Sequence, residues 1–161
     1  GAPHASAPGG GGELRAEALR APHDCDPTFA LRFECGGRSL ALVTDMGEPR
    51  DDVAAAFTDA HVGVGEANHD PGMLARGPSP AALKARVAGP GGHLSNEQMG
   101  TMLERLAGPR THTVVLAHLS AKNNLPELAV EAAERALLRA GRTGVRIVVA
   151  TQDTPTETID A

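Results

Sequence analysis

Three short polar phrases each close an apolar, strand-like run: Pro22-His23-Asp24, Thr44-Asp45-Met46-Gly47 and Ala117-His118-Leu119-Ser120. Between them lie two further clusters, Gly65-Glu66-Ala67-Asn68-His69-Asp70 and Gly91-Gly92-His93-Leu94-Ser95-Asn96-Glu97. Parallel strands of an α/β protein deliver functional residues from their carboxyl ends. A histidine or aspartate placed just after separate strands is therefore expected to meet the others on one rim. Imidazole and carboxylate are also the donors that borderline and hard divalent metals take. His23, Asp45 and His118 are the candidate metal ligands. Glu66 and His93 form a second layer, in which a carboxylate orienting an imidazole gives an acid or base poised near neutral pH.

Each residue also has a plainer reading. Asp45 in T-D-x-G suits a loop turn, and His118 suits a histidine at the edge of the core. His23-Asp24 suits a surface turn, Glu66 a capping carboxylate, and His93 a residue beside a helix cap. Their joint occurrence after separate strands favours the site. Asn68, His69, Ser95, Ser120 and Asn123 are candidates for substrate contact. Asn123-Asn124 equally suits a left-handed turn, and His69 a solvated residue. His4, His61 and His112 do not follow strands and are assigned no function.

The elements that must position these groups read as follows. Residues 1–18 are expected to be disordered or linker, with 19–161 as the folded domain. Phe29, Leu31 and Phe33 alternate with Ala30, Arg32 and Glu34, the period of a half-buried strand. Gly36-Gly37 turns a hairpin into a second strand from Ser39 to Thr44. Strand and helix units follow: a helix from Asp51 or Asp52 to Phe57, a strand from His61 to Gly65, and a long loop from Pro71 to Gly92 with one or two helical turns between Ala81 and Val87. Ser95 and Gln98 form a capping box ahead of Met99, Met102, Leu103 and Leu106. A strand spans Thr113 to Ala117, a helix begins at Pro126 and stops at Gly141, and a last strand spans Val145 to Ala150. The tail from Thr151 is expected to fray. The fold class is α/β.

Composition narrows the function. The 161 residues suffice for one domain, with three Phe and no Trp or Tyr, so Ala, Leu and Val must fill the core. A net charge of −5 gives no global basic footprint for wrapping nucleic acid. A local strip at Arg76, Lys84 and Arg86 could still meet phosphates. No apolar run reaches the roughly 20 residues of a membrane span. Cys25 and Cys35 are expected to be reduced and the chain to be cytoplasmic. It begins at Gly1 rather than Met, as a processed chain or a fragment would.

The series P-H-D, T-D-x-G, E-x-N-H-D-x-x-M-L, G-H-L-S-N-E and L-A-H-L-S-x-x-N-N resembles the metallo-β-lactamase superfamily, and within it the YycJ/WalJ-type hydrolases related to RNase Z. The resemblance runs from about Leu19 to about Thr151. It implies that His23 and His118 bind metal and that Asp45 bridges two divalent ions, zinc or manganese. It also implies that Glu66 and His93 pass a proton to a leaving alcohol. The H-x-H-x-D-H run that supplies most of the first metal site in this superfamily is not in the chain, which therefore resembles the C-terminal half of the αβ/βα sandwich.

The expected function is metal-dependent hydrolysis of phosphodiesters, with DNA as the substrate class implied by the resemblance. The isolated chain is expected to bind metal weakly and to be inactive, and to self-associate or pair with the absent half. The alternatives are a non-catalytic, partner-binding half-domain and a metallo-hydrolase of another ester or a thioester.

Overall fold

The computed structural model describes residues 12–25 and 27–161. Six strands form one sheet in chain order: β1 (Arg15–Arg20), β2 (Phe29–Cys35), β3 (Arg38–Val43), β4 (Val62–Glu66), β5 (Thr113–Ala117) and β6 (Arg146–Val149). β1, β2 and β3 pair antiparallel, and β3 to β6 pair parallel. The β2–β3 turn rests on Gly36 and Gly37 at φ 55° and 81°, a conformation that glycine adopts without a Cβ penalty.

Among the described residues, five helices occupy the connections: α1 (Asp51–Phe57), α2 (Pro71–Arg76), α3 (Ala81–Val87), α4 (Asn96–Leu106) and α5 (Pro126–Arg139). Every parallel strand is added on the same side of its predecessor. Because such crossovers are right-handed, the packed helices fall on one face of the sheet. Phe57, Val53 and Met102 bury against Ala30, Ala41 and Val43. Ala129, Ala133 and Leu137 of α5 bury with Met99 and Leu103 against Val114 and Leu116. At α4 the expected capping box is present: Ser95 Oγ accepts from Gln98 N, and Ser95 N donates to Gln98 Oε1 at 2.9 Å.

Among the described residues, the opposite face carries no helix. Directly paired residues share a face, so the register places Leu31, Phe33, Leu40, Leu42, Val64 and Val148 on that side. None of them belongs to the buried clusters beneath the helices. On β2 the buried side chains are Ala30 and Arg32, while Phe29 is 44% exposed. The alternation marked the strand, and it is the small face that meets the helices.

Three expectations change. The stretch 1–18 is not all linker, because Arg15–Arg20 is a strand paired along its length with β2. Its charged edge residues conceal a strand whose contribution is backbone pairing; residues 1–11 lie outside the described part. The long loop from Pro71 to Gly92 contains a second helix, α2. Asp70 caps it by accepting from Met73 N at 2.7 Å, and Pro71 stands in its first turn. The tail after Thr151 has no regular structure but is tethered: Glu157 pairs with Arg146, and the Ala161 carbonyl accepts from Arg38 Nη1 at 2.9 Å.

An apolar cavity of about 40 Å³ lies between the sheet and α4, lined by Gly63, Gly65, Phe57, Met99 and Met102. A Cβ on Gly63 would meet nothing within 4 Å. Gly63→Ala is therefore expected to raise the urea midpoint, adding about 0.4–1 kcal/mol through a less flexible unfolded chain. A lower midpoint would mean that the strand needs glycine at this position.

Candidate active site

The parallel register sets the site. Val43, Gly65 and Leu116 lie abreast, and Glu66 pairs with Ala117. Asp45, Glu66 and His118 thus leave the ends of three adjacent strands at one level. Asp45 and His118 both adopt positive φ, 56° and 58°. That backbone region is uncommon outside glycine, and the strain it carries gathers at functional sites. The Asn68 amide braces the His118 turn by donating to the His118 carbonyl at 3.0 Å.

Glu66 is fully buried. Its Oε1 accepts from His93 Nδ1 at 2.6 Å and His118 Nδ1 at 2.8 Å, and its Oε2 accepts from the backbone N of Met46 at 3.1 Å and of Leu94 at 3.5 Å. A carboxylate only accepts, so each imidazole carries its proton on Nδ1 and keeps Nε2 for other chemistry. Burial pushes the Glu66 carboxyl up, but the hydrogen bonds from His118 and then His93 outweigh it and hold the group below its ordinary value. His118 is raised in return, by its bond to Glu66 against the opposing effect of burial.

Around this anchor the site closes. Asp45 Oδ1 stands 3.5 Å from His118 Nδ1, 3.7 Å from His93 Nδ1 and 3.8 Å from His23 Nε2. The rings of His23, His93 and His118 follow one another at 4.9 and 5.0 Å between centroids. His23 is oriented by Nδ1 on the Gly92 carbonyl at 2.9 Å. Gly47 N donates to the Pro22 carbonyl at 2.8 Å, and a Cβ on Gly47 would come within 2.1 Å of the Pro90 oxygen. Only glycine lets these loops pack so closely.

The five residues expected to carry the chemistry come together, and the two expected layers merge into one cluster. Asp45, Glu66, His93 and His118 each bring a ligand atom within 4.8 Å of the others. Mixed imidazole and carboxylate donors at this spacing fit a divalent metal. Glu66 is already saturated by four N–H donors, which suits it to orienting ligands rather than joining them.

The candidate substrate residues divide. Asn68 and Ser95 are buried and committed, one to the His118 carbonyl and the other to the α4 cap. His69 is 2% exposed, and its Nδ1 has no partner among the described residues. Burial lowers its pKa below the ordinary value. Ser120 and Asn123 lie together on the β5–α5 loop, with Ser120 Oγ accepting from Asn123 N at 3.2 Å. Sequence reasoning missed the buried Asn96–Asn124 pair, joined in both directions at 2.8 and 2.9 Å and tied to the Ala67 carbonyl. The doubled asparagine after His118 was its only trace.

No family model matches the chain. The exodeoxyribonuclease YycJ of Bacillus anthracis is 34% identical over 118 residues, which are 73% of this chain and 45% of that protein. The exodeoxyribonuclease WalJ of Streptococcus pneumoniae is 36% identical over 118 residues, 73% of this chain and 44% of WalJ. The chain thus spans less than half the length of these curated relatives. Among solved structures, the metallo-β-lactamase fold protein YhfI of Bacillus subtilis superposes with a TM-score of 0.59 at 15% identity, covering 85% of this chain and 46% of YhfI. Zn²⁺-bound PqqB of Methylobacterium extorquens superposes with a TM-score of 0.51 at 20% identity, covering 85% of this chain and 44% of PqqB.

The fold is that of the metallo-β-lactamase superfamily. Within that fold, the chain is similar in sequence to the YycJ/WalJ type over 73% of its length.

The paired shifts at Glu66 and His118 give a pH signature in the metal-free protein. The lowered Glu66 contributes stability that is present above its ordinary value of 4.5 and lost as pH falls through its folded value. The raised His118 contributes stability that is complete below 6.5 and lost as pH rises through its folded value. Glu66→Gln is expected to cost about 1.5–3 kcal/mol, the scale of hydrogen bonds to charged groups. In urea denaturation with chelator, the cost should be largest between the two ordinary values and smaller on both sides. A cost independent of pH would contradict the assignment.

Proposed function

We propose that this chain provides part of the centre of a metal-dependent phosphodiesterase acting on DNA, as the names of its exodeoxyribonuclease relatives suggest. The observation that carries the reading is the cluster itself, in which three imidazoles and Asp45 are gathered over one buried carboxylate, Glu66. His23, Asp45 and His118 would hold divalent metal, zinc or manganese, which supplies charge neutralisation on the phosphate and an acidified water. His93, fixed through Nδ1 by Glu66, would present Nε2 to the leaving oxygen and deliver the proton that departure of an alkoxide requires. A thioester or lactam has less need of such a donor, which favours the phosphodiester.

The ligand count favours shared construction. His23, Asp45 and His118 are three protein ligands for an expected two metals, and a stable site wants three or more for each. The helix-free face, with Leu31, Phe33, Leu40 and Leu42, is where the complementary half of the sandwich would pack, and without it this face favours self-association. The alternative of a partner-binding half-domain without catalysis draws on the same face.

Calorimetric titration with Zn²⁺ and Mn²⁺, run alongside cleavage of bis-p-nitrophenyl phosphate, tests the reading. The 161-residue chain is expected to bind metal weakly and to turn over no substrate. Asp45→Ala should abolish the residual binding, and a complementary half supplied in trans should restore turnover. Tight stoichiometric binding with metal-dependent turnover by the chain alone would overturn the incomplete-site account.

A further inference from the structure

The basic strip at Arg76, Lys84 and Arg86 resolves into unequal parts. Lys84 Nζ is spent on the Ala75 carbonyl at 2.7 Å, and Arg76 ends α2 as an exposed residue. Arg86 differs from both. Its Nε donates to Asp24 Oδ2, while the other oxygen of the same carboxylate, Oδ1, faces His23 Nε2 at 3.6 Å. His23 Nε2 in turn faces Asp45 at 3.8 Å. A run of neighbouring polar groups, Asp24, His23 and Asp45, therefore leads from the Arg86 guanidinium to the centre of the site.

The helix that bears Arg86 is unusual in its support. No residue of α3 is buried, so the core does not decide where it stands. It is clasped to the site instead: Asp24 N donates to the Gly91 carbonyl at 2.8 Å, and His93 N donates to the Val87 carbonyl at 2.9 Å. The Asp24–Arg86 pair is the side-chain part of that clasp. The Arg86 side chain remains 67% exposed. With Nε engaged, its two terminal NH₂ groups form a planar fork with the geometry that suits phosphate.

We propose that Arg86 is a phosphate-anchoring residue at the rim of the site, oriented by Asp24, and that it takes a phosphodiester flanking the reacting one on a nucleic-acid strand. The proposal rests on the phosphodiesterase reading and adds to it a preference for a polymer with several phosphates over an isolated phosphodiester. It also gives Asp24 a positioning role, since that carboxylate holds the fork beside His23.

Fluorescence anisotropy with a labelled 12-nucleotide oligodeoxythymidylate, titrated from low to moderate KCl, tests this on the full chain. For R86Q, binding at low salt is expected to weaken about tenfold, as for loss of a charge-assisted hydrogen bond. The slope of log K against log salt should fall by about 0.7, the value for one phosphate on a single strand. R86K should restore the slope without the full affinity, because lysine keeps the charge and loses the fork. D24N should keep the slope and lose affinity. R135Q, on the outer surface of α5, controls for removal of any one positive charge and should match wild type. An R86Q slope equal to that of wild type overturns the Arg86 assignment alone. Wild-type binding without salt dependence overturns the nucleic-acid reading and this proposal with it.

Discussion

A single buried carboxylate organises the functional end of this molecule. Glu66 has no solvent exposure, and an unpaired charge in such a place would be prohibitive. Four N–H groups answer it, two from imidazoles and two from the backbone after β3 and before α4. The donors come from three loops, after β3, before α4 and after β5, so satisfying one side chain fixes the positions of three chain segments together. The cost of desolvating Glu66 and the order of the site are two aspects of one arrangement.

The sheet makes that arrangement reachable. Parallel pairing in register delivers Glu66 from the centre of the rim, with Asp45 and His118 on its two flanks. The flanking residues both turn through positive φ, which brings their side chains back across the strand ends. The strain is held by contacts that would otherwise have no evident use, including the Asn68 amide on the His118 carbonyl and Gly47 packed beneath Pro90 and Gly92. Among the described residues helices pack on one face alone, while the other face keeps half-buried leucine, valine and phenylalanine beside the buried Val62 and Val115. That asymmetry accords with a chain matching less than half of each YycJ/WalJ relative.

Much of this was legible in the residues. Strands with strong periodicity, the Ser95 capping box and the Pro126 helix start are written in local chemistry, and each stands close to where it was expected. The convergence of His23, Asp45 and His118 followed from a general rule about strand ends, whereas His93 stands between α3 and α4 and reaches the cluster through Glu66. What was hidden depends on distant partners. β1 hides because an edge strand of alternating charge contributes hydrogen bonds rather than burial. α2 hides because Gly72 and Gly77 flank its short apolar content, and its Asp70–Pro71 start was taken for loop chemistry. The buried side of β2 was hidden because Phe29 and Phe33 outweigh Ala30 in any hydrophobic count, yet Ala30 is the one buried with Val53 and Phe57 of α1. The Asp24–Arg86 pair spans 62 positions, and no local pattern announces it.

The most direct test of the Glu66 account is the protonation pattern of the imidazoles. Long-range ¹H–¹⁵N spectra of the metal-free protein at neutral pH should show Nδ1 of His93 and His118 protonated and hydrogen-bonded. On addition of Zn²⁺, the His118 Nε2 resonance should shift while its Nδ1 proton is retained. Rings carrying the neutral proton on Nε2, or a His118 Nδ1 that loses its proton to the metal, would show that Glu66 does not set the orientation of the site.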